Sequence, residues 1–283
     1  MQKKYLWLVL AAVAAGITLF TGPVFATAGA DAYQMGFQEA VSPVAERIHD
    51  FHNMMLWIIS GITAFVTLLL LYVMVRFRAG ANPTPSATTH NVPLEVVWTV
   101  VPVLILIIVA VPSLKLLYFT DRVENPELVV KVTGNQWNWT FEYPDHEGLS
   151  YLSVMIPDKD IDPAKGQQRL LSADNQMVIP VDTTVQFIVT ASDVLHSFTV
   201  PAFGIKVDAV PGRLNETWTR VTKTGTYYGQ CSELCGKDHA FMPIEVRVVP
   251  KDDFSAWIEA AKTGTTSYDA FLEQRGRSAA VSE

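Results

Sequence analysis

Cysteine is scarce in this chain, with two residues in 283, both in one loop. Two are too few for a disulfide framework. Charge is thin as well, at 17% of residues, and its balance is acidic, with a net charge of −7. That argues against nucleic acid as a partner and for a basic protein. No Cys-x-x-Cys-His sequence is present, so the chain carries no c-type haem attachment. Internal repeats and long low-complexity runs are also missing. What the chain has in quantity is apolar residues, 49% of the total. With so little charge beside them, this composition leans toward the membrane.

The apolar residues gather in three runs. In the first, Lys3 and Lys4 precede Tyr5 to Phe20, followed by Gly22, Pro23 and the small-residue stretch Ala26-Thr-Ala-Gly-Ala30. A charged start, a short apolar core and an A-x-A-like site read as a signal peptide, residues 1–28, cut between Ala26 and Ala30. An uncleaved anchor is the alternative. The second run, Met54 to Phe77, is closed by Arg76 and Arg78, and the third, Leu94 to Phe119, contains Pro102 and Pro112. At ~1.5 Å per residue each spans a hydrocarbon core of ~30 Å, and membrane helices tolerate such prolines. Residues 29–122 are therefore an N-terminal segment and a transmembrane hairpin. The stretch before the second run holds Asp31, Glu39, Glu46 and Asp50 against Arg47 alone, whereas Arg76 and Arg78 flank the connection Ala79 to Pro93. The positive-inside rule puts that connection in the cytoplasm and both ends of the hairpin outside. Glu95, at the start of the third run, suits a helix N-terminus, where the dipole favours a carboxylate.

From Glu127 the texture changes to short β-prone runs separated by turns: 128–133, 137–143, 177–179, 185–191, 197–200, 216–221, 225–228 and 244–249. Strands at that spacing predict an all-β sandwich or barrel. In Gln136-Trp-Asn-Trp-Thr-Phe-Glu-Tyr143, alternation places Trp137, Trp139, Phe141 and Tyr143 on one face. Residues 252–262 predict a closing helix with Phe254, Trp257 and Ile258 on one side. The outer domain thus covers 123–262, and 263–283 reads as a polar, frayed tail.

Both cysteines lie in Gly229-Gln-Cys-Ser-Glu-Leu-Cys-Gly-Lys-Asp-His-Ala-Phe-Met242, with the spacing Cys231-x3-Cys235-x3-His239-x2-Met242. By themselves two cysteines in an exported domain suit a disulfide, and with histidines a zinc site. Thiolate, imidazole and thioether together favour copper over magnesium or calcium. A mononuclear blue-copper site needs one Cys; a second thiolate lets both sulfurs bridge two ions, which suggests a binuclear cluster. His196, in Asp193-Val-Leu-His-Ser-Phe198, is the candidate for a second imidazole. Copper-type ligands between late strands make the expected fold a membrane-anchored α+β chain: a two-helix transmembrane hairpin, then a cupredoxin-like Greek-key barrel.

The loop resembles the CuA loop of cytochrome c oxidase subunit II, and the resemblance runs from about Gly36 to Trp257. It takes in Pro201 and Asp208-Ala-Val-Pro-Gly-Arg213 after His196. It implies that Cys231 and Cys235 bridge two coppers, that His196 and His239 each bind one, and that Met242 and the Glu233 carbonyl are weak axial ligands. The Glu233 carboxylate would hold magnesium shared with subunit I. Trp137 would be the electron entry point from cytochrome c, with Asn138 departing from the aromatic that many relatives carry. Glu95, in Glu95-Val-Val-Trp98, would stand at the entrance of the K proton pathway, and Asp174 and Asp193 in the docking patch. Heme a and CuB would lie in subunit I, with subunit III a further partner. The setting implied is the bacterial inner membrane, with both mature termini and the CuA domain in the periplasm and oxygen reduction coupled to proton pumping.

Charge adds to this independently. Six of the 28 acidic and seven of the 21 basic residues lie at or before Arg122, which leaves 22 against 14 and a net charge of −8 beyond it. Such a surface steers a basic cytochrome c. Two other identities are weaker: a quinol oxidase subunit II, which shares the fold without the copper ligands, and a free-standing membrane-anchored copper carrier.

Overall fold

The computed structural model describes residues 27–28, 34–84, 86–123 and 125–281. The segment 1–28 expected to be a signal peptide lies outside the described residues except for Thr27–Ala28, a two-residue strand (β1). Helix α1 (Pro43–Arg76) opens at Ser42, whose Oγ accepts from Ala45 N at 3.0 Å and donates to Phe203 O at 2.8 Å. Pro43 at its first position has no N–H to leave unsatisfied. Helix α2 (Val92–Asp121) opens at Asn91, whose side chain accepts from Leu94 N at 3.3 Å. Pro102 and Pro112 lie inside it without ending it. Both helices are long and apolar enough to cross a membrane, and their apolar side chains, such as Phe65, Leu70 and Ile108, are exposed. Helix α1 starts about three turns before the predicted span. Those turns lie against the β domain, where Val44 and Ala45 are buried.

The β domain is two sheets packed face to face. Its strands are β2 (Leu128–Asn135), β3 (Asn138–Tyr143), β4 (Leu149–Ser153), β5 (Met177–Pro180), β6 (Thr184–Ala191), β7 (His196–Val200), β8 (Ile205–Ala209), β9 (Asn215–Arg220), β10 (Gly225–Cys231) and β11 (Pro243–Val249). One sheet runs β5-β11-β10-β7-β8, with β1 pairing onto β10; the other runs β4-β3-β2-β6-β9. Strict alternation in β2, β3 and β6 buries every second residue, and Trp139, Phe141, Phe187, Phe198 and Ile244 fill the space between the sheets. The expected cupredoxin-like β domain thus takes the form of a two-sheet sandwich. β4 and β8, five residues each, were not among the eight runs. Trp137 does not share the face of Trp139: it sits before β3, in the turn that joins Asn135 to Asn138.

Helix α3 (Lys251–Lys262) buries Phe254, Trp257, Ile258 and Ala261. The frayed tail is corrected: residues Tyr268–Val281 form helix α4. Its Tyr268 and Phe271 are buried, the Tyr268 N–H donates to Gln176 Oε1 at 3.1 Å, and Asp269 pairs with Arg247 at 2.9 Å.

Near this helix Glu245 is 1% exposed; it accepts from Ala173 N at 2.8 Å and lies 3.3 Å from Arg247. Burial drives its carboxyl up to about 7, against the pull of Arg247. A raised carboxyl stabilises the fold below its unfolded value of 4.5, and that contribution is lost as pH rises through about 7. At about 1.4 kcal/mol per unit, roughly 3 kcal/mol is at stake. Thermal unfolding in detergent should therefore show this loss between acid and neutral pH, and Glu245→Gln should flatten it.

Candidate metal centre

Strand pairing brings the donors together. β10 and β7 are antiparallel with Cys231 opposite Phe198. His196, two residues from Phe198, shares its face, so the His196 ring comes to Cys231: Nδ1 lies 3.9 Å from Sγ. The chain then leaves the sheet, turns through Cys235 and the short helical turn His239–Phe241, and returns at Met242 to begin β11. His239 Nδ1 and Met242 Sδ each lie 3.5 Å from Cys235 Sγ, and Glu233 O lies 3.3 Å from Cys231 Sγ. The two sulfurs are 3.9 Å apart and both thiols are free, far outside the ~2.05 Å of a disulfide. Ligand atoms of His196, Cys231 and Cys235 all fall within 4.8 Å of one another.

This donor set fits a soft cation. Two sulfurs at 3.9 Å can both reach one ion at ~2.3 Å. Electrostatics agree. Burial opposes ionisation of Cys231, but its hydrogen bond with His196 and backbone contacts outweigh this and bring the thiol down to about 6. Burial and then the Cys231 charge push Cys235 up to about 12. Two thiolates side by side repel, and positive charge between them relieves it.

The ligands are held from behind. Asp193 Oδ1 lies 2.9 Å from His196 Nε2 and accepts from Val194 N at 2.7 Å, and Asp193 Oδ2 accepts from Gln136 N at 2.7 Å. This carboxylate fixes the ring so that Nδ1 faces the sulfur, the usual arrangement for a ligating histidine. Gln136 Nε2 and Trp137 Nε1 donate to Cys235 O at 2.8 and 3.2 Å. Trp139 Nε1 donates to Met242 O at 3.1 Å. Gly134 leaves room for His196: a Cβ there would lie 2.9 Å from ring carbons.

All the expected donors meet here. The Glu233 side chain is exposed, and Trp137 is half-buried against the loop. Asp174 stands outside the cluster, its carboxylate accepting from Val154 N and Asn175 N at 2.7 Å. Glu95 is far away, near the opposite end of α2, about 36 Å along the helix from Phe119. The positioning roles of Asp193, Gln136 and Trp139 were not foreseen from sequence; the Asp193-x-x-His196 spacing was the available signal.

A membrane hairpin carrying a cupredoxin-like sandwich with Cys, His and Met donors at one end defines a membrane-anchored copper-type electron-transfer domain. Residues 128–249 match the family model of the cytochrome c oxidase subunit II periplasmic domain, and residues 30–116 match that of its transmembrane domain. The chain is similar to the probable cytochrome c oxidase subunit 2 of Rickettsia bellii, with 50% identity over 86% of this chain and 89% of the relative. Cytochrome c oxidase subunit 2 of Cereibacter sphaeroides is 46% identical over 84% and 83%. The crystal structure of the periplasmic domain of subunit II (CoxB) of Bradyrhizobium japonicum has 52% identity, covers 50% of this chain and 98% of that one, and gives a TM-score of 0.47. The chain belongs to the cytochrome c oxidase subunit II family. It is thus one subunit of a bacterial oxidoreductase complex, and its donor cluster is consistent with CuA electron entry.

Proposed function

We propose that this chain is the electron-entry subunit, with binuclear copper A held by His196, Cys231, Cys235, His239, Met242 and the Glu233 carbonyl. The observation that carries this is how the donors divide about the cysteine pair. His196 and Glu233 O lie by Cys231, and His239 and Met242 by Cys235. Each sulfur has its own imidazole and one further weak donor, the division that a pair of coppers would need. Bound copper would supply one-electron acceptance and release. The chain's part is to hold the donors still, through Asp193, Trp139 and the Gln136–Trp137 turn. The test is an X-band EPR spectrum of the oxidised full-length chain loaded with copper. Seven hyperfine lines mean one electron shared by two equivalent coppers; four lines mean a single copper and defeat this reading.

Electrons would arrive from cytochrome c at Trp137. Exposed Val194, Leu195, Leu234 and Phe241 offer apolar contact beside the cluster. The domain's acidic excess, with Asp174 and the third of Asp193 that remains exposed, steers a basic partner. Electrons would leave for heme a in subunit I, whose CuB is the site of oxygen reduction coupled to proton pumping; subunit III completes the complex. The exposed Glu233 carboxylate is free to share magnesium with subunit I, carboxylate oxygen suiting a hard cation. The chain would lie in the bacterial inner membrane with this domain and both mature termini in the periplasm, an orientation that the arginines flanking the connection support.

At the cytoplasmic end, Glu95 accepts from Asn91 N at 3.3 Å and so closes the first turn of α2. We assign it the K-pathway entrance as well. Glu95→Ala should slow proton uptake during reduction of the oxygen-binding centre while copper content stays normal. Unchanged reduction kinetics would refute the assignment.

A further inference from the structure

Away from the metal centre, cationic side chains gather at the outer end of the hairpin. A cavity of about 400 Å³ between the start of α1, the end of α2 and the β6–β9 edge is lined by Arg47, Arg122 and Arg220, together with Tyr118, Phe119 and Trp218. Among the described residues, no acidic side chain lines it. Among the described residues, none of the three guanidinium groups lies within ion-pair distance of a carboxylate; Glu127 feels Arg220 only through its field. The groups are held in place. The Arg47 guanidinium stacks 3.4 Å over the Phe119 ring. Trp218 meets Phe119 edge-on at 5.3 Å and donates from Nε1 to Phe119 O at 3.2 Å. A guanidinium stacked on a ring still presents its N–H fork at the edge, which matches a phosphate.

A second cavity of about 300 Å³ shares Arg47 and runs down between the helices. Its walls are Phe51, Met54, Pro112 and Leu116, with Lys115 and a single acid, Asp50. Arg47 lies about two turns before the apolar run that begins at Met54. The paired cavities thus cross from headgroup level to hydrocarbon level, where tryptophan and tyrosine side chains collect in membrane proteins. The rest of the outer domain is acidic and repels free anions.

We propose that this is a site for one anionic phospholipid of the outer leaflet. Its phosphodiester would lie among Arg47, Arg122 and Arg220, and an acyl chain would follow Phe51, Met54 and Leu116. The neutralised arginines would then brace the β domain against the membrane surface.

The test uses the full chain in a neutral detergent, followed by native mass spectrometry with added phosphatidylglycerol or phosphatidylcholine. One phosphatidylglycerol should be retained in preference to phosphatidylcholine. Arg47→Gln and Arg220→Gln should each weaken retention about tenfold, roughly 1.4 kcal/mol, while Arg213→Gln, outside both cavities, should not. Arg220→Gln keeps the Arg47–Phe119 stack, so its effect cannot be laid to a disturbed hairpin. Equal retention of the two lipids, or wild-type retention by both variants, would overturn the site. Displacement by millimolar inorganic phosphate would make it a soluble-anion site instead. Loss of the lipid from the assembled oxidase would make the cluster a contact with another subunit.

Discussion

Replacing Trp137 by alanine is expected to slow electron entry from reduced cytochrome c by about 10²-fold, the cost that loss of one well-placed group can carry. Copper content and its EPR signature should persist. Among the described residues, the indole is the only aromatic group that is both half-exposed and hydrogen-bonded to the ligand loop, through Nε1 to Cys235 O at 3.2 Å. That bond joins the ring to the backbone of a cysteine whose sulfur faces the cluster. Removing the ring breaks this contact, but Gln136 Nε2 still holds Cys235 O at 2.8 Å. Trp139 still holds Met242 O from the core side. The loop should therefore keep its shape, and the loss should be kinetic. Stopped-flow reduction by cytochrome c measures it, with Trp137→Phe separating the ring from its hydrogen bond. Normal reduction rates in the alanine variant, at full copper occupancy, would remove Trp137 from the path.

The parts of this site legible in the sequence were those written in side-chain chemistry at short spacing. Cys231, Cys235, His239 and Met242 fall within one loop, so their association needed no knowledge of the fold. The membrane hairpin was legible for a similar reason, since an uninterrupted apolar run declares itself. The positioning shell was less so because it depends on pairing. Asp193 reads as one more exposed acid until β7 and the β2–β3 turn put it between His196 and Gln136. Trp137 looks like a strand residue by alternation, yet the hairpin turn takes Gln136 and Trp137 out of the ladder. Helix α4 was missed because its polar sequence offers only Tyr268 and Phe271 as buried anchors among the described residues, and much of its docking is through Gln176, Arg247 and Asp253.

The register that makes the site depends on a glycine outside the ligand set. Gly229→Ala is expected to destabilise the outer domain by about 3 kcal/mol or more and to abolish stoichiometric copper binding. A Cβ at Gly229 would lie 2.0 Å from Thr199 O and 3.1 Å from Val200 Cγ2. The first contact is with backbone, so no rotamer change relieves it; β10 and β7 must separate. β7 cannot easily retreat, because it is paired along its length to β8. Gln230 opposite Thr199 and Cys231 opposite Phe198 are the pairs that follow Gly229, and they set Cys231 beside His196. Opening the ladder there moves the Cys231 sulfur away from the His196 ring, and Asp193 cannot compensate because it fixes the ring, not the strand. Thermal unfolding and copper per chain report the two effects, with Gly36→Ala, which meets nothing within 4 Å, as the neutral reference. A Gly229→Ala chain that melts with the reference and binds two coppers would show that the loop, and not the β7–β10 register, positions Cys231.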